Sequence, residues 1–338
     1  MSNVAESTQR RLQRPVHLVI DWDATLTSGH WPHMLANISR MTLVRHNLHQ
    51  QCADPAVSMR GLLVAARQDY ANHATRWLAT NACDDVQGYC RYINSFRDVV
   101  QRFYEAIYEA NLFCSATDRD VQMAAWFVIT NGLVRMRAGW IGLFRLFLVA
   151  MDVENNSNER RSTITIVSSN STVSFIRWTL RQVVRSELPN LGYDASKFLN
   201  LVDNIRIHAN EIEGISAPGR STGRLIPNVL CSSDKLQGLP ASVFSQNVPS
   251  HTAAVLPWLV YVAARGSDYE CLMAADSGIW LHDGPSTDVN NAFSPLSFGR
   301  MAQYPIPMND IGPDAQARRQ FLWAKTLGQV TEFLLALR

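Results

Sequence analysis

His17–Asp23 (HLVIDWD) is a short apolar run that ends in acidic residues. It reads as a buried parallel strand, because a strand covered on both faces loses the alternation of apolar and polar positions. From about residue 33 to 151 the period lengthens to that of helices. Val99, Val100, Phe103, Ile107 and Leu112 recur near a 3.6-residue spacing. Thr117 or Asp118 is placed to cap the next helix, which carries Trp126, Phe127 and Ile129. A further helix over about 136–151 follows a break near Asn131-Gly132.

Thr163–Val167 (TITIV) is β-branched and predicts a second strand, followed by an amphipathic helix over about 172–186. Ile205–Ile212 alternates as a strand, and 213–227 reads as loop. Ser233 or Asp234 is expected to cap a short helix. Leu256–Ala263 reads as a buried strand, 267–275 as a helix, 278–281 as a strand and 315–337 as one last amphipathic helix. Strands alternating with helices predict a Rossmann-like parallel α/β sheet. The helical block after the first strand is too long for one crossover, so it reads as an inserted helical cap. The expected division is a flexible tail at 1–14, an α/β core at 15–27 and 160–338, and a cap at 28–159.

The chain has 338 residues, 47% of them apolar and 18% charged, with a net charge of +2. That balance gives no electrostatic case for nucleic acid or an anionic membrane. The most membrane-like stretch, 122–151, is interrupted by Arg135, Arg137 and Arg145. Residues 1–14 lack the apolar stretch of a secretory signal. None of the six cysteines forms a CxxC pair, and no zinc-finger spacing is present. The expectation is a cytoplasmic protein with reduced thiols and a small-molecule substrate.

The first strand ends in Asp21-Trp22-Asp23-Ala24-Thr25. Residues two apart on a strand face the same way, so two carboxylates begin on one side of the sheet's C-terminal edge, where open α/β folds bind ligands. Like charges so close resist ionising unless a metal ion or another charge intervenes. A solvated acidic loop is the plainer reading of the same residues. Further along come Ser168 directly after TITIV, Lys235 in SSDKL, and VYVAARGSDYECL at 260–272.

In that order these segments resemble the motifs of the haloacid-dehalogenase superfamily. IVSSNST, NEIEG, SDKL and ECLMAAD look most like a fungal branch of its hydrolases with a C1-type cap. The resemblance covers about 15–27 and 162–285. It implies that Asp21 is a nucleophile, that Asp23 is a general acid and base, that Ser168 holds a phosphoryl oxygen, and that Lys235 offsets negative charge. Thr25, Ser169, Asn170 and Arg265 are then the expected substrate contacts. Mg²⁺ is expected on Asp21, on the backbone carbonyl of Asp23 and on Asp268.

One position departs from the pattern. Ala264 stands where the family carries its first metal-binding acid, and only Asp268 remains. Three outcomes are open: a phosphatase with weakened Mg²⁺ binding, a site in which Arg265 makes the metal unnecessary, or a scaffold repurposed for an organic substrate or for binding. A phosphatase acting on a small ester, apolar in the sharper reading, is the leading expectation. Trp22 is expected in the core, Asp276 as a local helix-end bond, and His282 and Asp283 as solvated loop. Asn170 is either an anion donor or a helix cap. The aromatics Trp126, Phe127, Trp140, Phe144 and Phe147 form either packed helical core or an apolar wall over the site.

Overall fold

A computed structural model describes residues 12, 15–29, 31–46, 55–81, 86–154, 162–217, 220–240, 257–283 and 320–337. Its strands are β1 (Val16–Asp21), β2 (Thr27–Gly29), β3 (Val134–Met136), β4 (Thr163–Thr172), β5 (Arg206–Ile212), β6 (Leu225–Ile226), β7 (Trp258–Ala263), β8 (Ser277–Leu281) and β9 (Gln320–Ala324). Seven of them form one sheet in the order β6-β5-β4-β1-β7-β8-β9, and β2 pairs with β3 apart from it. Every ladder in the large sheet is parallel except that of the edge pair β5–β6. This is the expected Rossmann-like α/β sheet.

The helices are α1 (Trp31–Arg45), α2 (Pro55–Thr80), α3 (Val86–Asn94), α4 (Arg97–Glu109), α5 (Asp118–Thr130), α6 (Trp140–Glu154), α7 (Val173–Glu187), α8 (Ala195–Asn204), α9 (Ser232–Leu236), α10 (Tyr269–Ala274) and α11 (Leu327–Ala336). No described helix is long and apolar enough to cross a membrane.

Central β1 explains its own apolar run. Leu18, Ile20 and Trp22 enter a core on one face, and Val19 packs with Tyr261 on the other. Trp140, Phe144 and Phe147 of α6 share the first of these cores. They therefore pack on the sheet and do not wall the site. A separate cluster joins α1, α4 and α5 through Ile38, Phe103, Ile107 and Val121, and it includes Phe175 and Ile212 from α7 and β5. The helical insertion is thus seated on the sheet's C-terminal edge.

Several boundaries differ from expectation. The break after Asn131-Gly132 leads into β3 before α6 begins. The single helix expected at 315–337 is a strand, β9, followed by α11, which Thr326 caps by accepting the N–H of Gln329. Cys231, not Ser233 or Asp234, is the N-cap of α9. Asp234 sits one turn inside and accepts the N–H groups of Leu230 and Cys231 at 2.9 and 3.2 Å. Thr117 is the N-cap of α5. Leu256 and residues 315–319, like most of the expected tail, lie outside the described residues.

Candidate active site

The chain leaves β1 through a tight turn at the C-terminal edge. Trp22 still bonds to the carbonyl of Val167 at 2.9 Å, after which Leu26 N–H returns to Asp21 O and Thr27 N–H to Trp22 O, each at 3.1 Å. Ala24 takes φ +65° within this turn, a left-handed conformation that costs a non-glycine residue about 1–2 kcal/mol. Arg137, between β3 and α6, holds the turn in place. Its Nε donates to Thr25 O at 3.0 Å and its Nη2 to Ala24 O at 2.6 Å, while Nη1 pairs with Asp283. Asp283 is therefore an ion-pair partner as well as a loop residue.

The turn presents Asp21 to Lys235 of α9. Lys235 Nζ lies 2.9 Å from Asp21 Oδ1 and 2.6 Å from Asp268 Oδ1. Thr25 Oγ1 donates to Asp21 Oδ2 at 3.0 Å, and Tyr261 OH donates to Asp268 Oδ1 at 2.7 Å. All five residues are buried. Burial pushes the Asp21 carboxyl up; Asp268 and Asp23 repel its charge further, Lys235 opposes them, and the net position is about 7. Burial disfavours the Lys235 ammonium, yet the Asp21 and Asp268 carboxylates outweigh it and hold the lysine above its ordinary range.

Asp23 forms the second half of the site. Its Oδ2 accepts from Ser168 Oγ at 2.8 Å, and the Asn170 side chain also acts on the carboxyl as a hydrogen-bond donor. Burial raises its pKa, against the opposing pull of the Ser168 hydrogen bond and the charges of Arg265 and Lys235. Ser168 Oγ in turn accepts the N–H groups of Asn170 and Ser171 at 3.2 and 3.0 Å. β4 runs past Ser168 with a shift of register before Thr172. Thr172 is the cap of α7, accepting from Phe175 N–H at 3.2 Å, so Asn170 is not the cap.

The structure thus brings Asp21, Asp23, Thr25, Ser168, Lys235 and Asp268 together. Thr25 is committed to Asp21. Ser169 contributes its carbonyl, which accepts from Tyr104 OH at 2.6 Å and Asn210 Nδ2 at 2.9 Å. Arg265 is half-buried and acts on Asp23 through its charge. Asp276 does not bond locally; its Oδ2 accepts the N–H of Leu259 at 2.8 Å and ties β8 to β7.

Four contributors were not singled out from sequence. Tyr261 carries a hydroxyl within an apolar strand, and that polar tip was its one signal. Arg137 registered only as a charge interrupting an apolar stretch. Tyr104 and Asn210 meet only in three dimensions: Asn210 Nδ2 reaches Tyr104 OH, Ser169 O and Val229 O, and its Oδ1 accepts Val229 N–H.

The cap also holds α9. Arg97, which opens α4, pairs with Asp234 at 2.6 Å, and Asn94 Oδ1 accepts Ser233 N–H at 2.9 Å. The same Asn94 donates to Glu270 of α10 at 2.9 Å.

The residues expected to bind Mg²⁺ do not fit that ion as they stand. Both oxygens of Asp21 already accept hydrogen bonds, and Asp268 Oδ1 accepts two. Ala264 packs its methyl against the apolar core. Among the described residues no group of three or more His, Cys, Asp or Glu side chains is placed to hold a metal ion.

No family model and no curated protein matches this sequence. Solved structures with a similar chain course include a substrate-bound phosphoserine phosphatase complex, 11% identical, covering 95% of this chain and 99% of that one at a TM-score of 0.38. A phospho-aspartyl intermediate analogue of phosphoserine phosphatase is 12% identical, covering 80% and 87% at 0.35. A conserved functionally unknown protein from Anaerococcus prevotii DSM 20548 is 12% identical, covering 87% and 86% at 0.39. At these values the likenesses assign no chemistry to this chain.

Proposed function

We propose that the chain is a hydrolase of the haloacid-dehalogenase type that opens a small phosphate ester through a covalent intermediate on Asp21. The observation that carries this reading is the buried Asp21 carboxylate, bridged by Lys235 and Thr25, beside a second buried carboxyl, Asp23, that Ser168 holds in place.

Asp21 attacks phosphorus, forming an oxygen–phosphorus bond as the bond to the leaving oxygen breaks. The Asp23 proton moves to that oxygen. Water then attacks the aspartyl phosphate, its proton passes to Asp23, and phosphate leaves as Asp21 is restored. The sum is ester plus water giving alcohol plus phosphate. Lys235 stabilises charge on Asp21 throughout, in surroundings that exclude water and so strengthen its effect. Ser168 fixes the direction of the Asp23 carboxyl.

The test is rapid acid quench of the protein with an aryl phosphate, followed by mass spectrometry of the peptide that carries Asp21. One phosphoryl group is expected on that peptide, with both the adduct and turnover absent in Asp21→Asn. Turnover that persists in Asp21→Asn would sink the reading. A second reading, displacement at carbon on an unphosphorylated organic substrate, is favoured by the alanine at 264. It would leave an alkyl ester on the same aspartate.

A further inference from the structure

Resting on this reading, we infer that the reaction needs no divalent cation, because Lys235 supplies the positive charge at Asp21. Three observations converge. The ammonium is within hydrogen-bond distance of both Asp21 and Asp268, so it occupies the space between the two carboxylates that a shared cation would bridge. The opposite oxygen of Asp21 is taken by Thr25, and Tyr261 completes the surroundings of Asp268 Oδ1. The residue after β7, Ala264, presents a methyl group to the apolar core and has no side-chain oxygen to offer.

A small hard cation needs oxygen ligands in near-ideal octahedral array and gives up water reluctantly. Here it would have to share Asp21 oxygens that already accept from Lys235 and Thr25, beside a fixed ammonium that repels it, and the side chain at 264 adds no carboxylate. A lysine locked between two acids meets the same electrostatic need with one fixed charge. The role of Asp268 follows: it positions Lys235 and is not a metal ligand.

The experiment uses the full chain with an aryl phosphate as probe, in chelator and in millimolar Mg²⁺, reading both turnover and the Asp21 adduct. Binding of Mn²⁺ is measured separately by electron paramagnetic resonance on wild type and Asp268→Asn. Expected are rates that agree within about twofold across the two conditions, an adduct in both, and no stoichiometric Mn²⁺ signal. An adduct or turnover that falls about tenfold or more in chelator and returns with Mg²⁺ overturns the inference and leaves the Asp21 mechanism standing. Stoichiometric Mn²⁺ that disappears in Asp268→Asn overturns it as well. Should no adduct form in either condition, the reading of Asp21 fails, and the Mn²⁺ measurement alone decides the inference.

Discussion

Replacing Lys235 by Met keeps most of the side-chain volume and deletes one buried charge. The ammonium lies 2.9 and 2.6 Å from its two carboxylate oxygens. At an effective dielectric near 20, that is a gross attraction of about 12 kcal/mol for the two contacts. Most of it is offset, because methionine does not have to be stripped of water and Asp21 relaxes by holding its proton. Truncating one member of a buried ionic group typically costs about 3–5 kcal/mol net. For a chain of this size that lowers the melting temperature by about 4–7 °C.

The sign with pH follows from Asp21. Lys235 is the group that holds its pKa down to about 7; without it the folded value climbs higher while the unfolded one stays ordinary. The folded variant then binds more protons than its unfolded chain, so its stability falls as pH rises. Urea unfolding of wild type and Lys235→Met should show a small deficit near about pH 5 and a larger one near about pH 8. Adding Asp268→Asn should recover part of the loss, since it removes one of the two stranded acids. A deficit equal at both pH values, or losses that simply add in the double variant, would refute the claim that these three side chains form one electrostatic unit.

With Asp21 attacking as its carboxylate, as proposed, kcat/KM should rise with pH through about 7; a flat acid limb would contradict the assignment. Asn210→Ala strands the buried N–H and C=O of Val229 and takes one of two partners from Ser169 O and Tyr104 OH; it should cost about 2–3 kcal/mol in chemical denaturation, with a loss below about 1 kcal/mol counting against the bridge. Gly278→Ala places a methyl 2.3 Å from Leu272 O and 2.9 Å from its carbonyl carbon. The backbone of α10 must then move, at a cost of about 2 kcal/mol or more, and an unchanged melting temperature would refute that packing.

The alternation of apolar runs and amphipathic stretches was enough to read the sheet around β1, because strands buried on both faces leave a strong imprint. β9 was not readable as a strand. FLWA and the LGQVTEFLLA that follows are both apolar, and periodicity does not separate a five-residue buried strand from the start of a helix. The short helix α9 was readable, but not its cap, since Asp234 reaches back to N–H groups ahead of its own helix. In the site, Asp21, Asp23, Ser168, Lys235 and Asp268 were legible from their order along the chain. Their connections were not. Whether Asp268 would face an ion or the lysine depended on the path between β7 and α10, and Arg137 reaches the turn across more than a hundred residues of sequence.

A helix of five residues does not hold its shape unaided, and α9 borrows its footing from Arg97 and Asn94 on the insertion above it. The lysine on which the proposed chemistry rests is therefore aimed by residues remote from it in sequence. Trimming the insertion away would leave Asp21 in place yet loosen the helix that aims Lys235 at it. Exchanging it for another lid would re-tune reactivity as well as access. In this architecture the roof and the lysine beneath it are mechanically one piece.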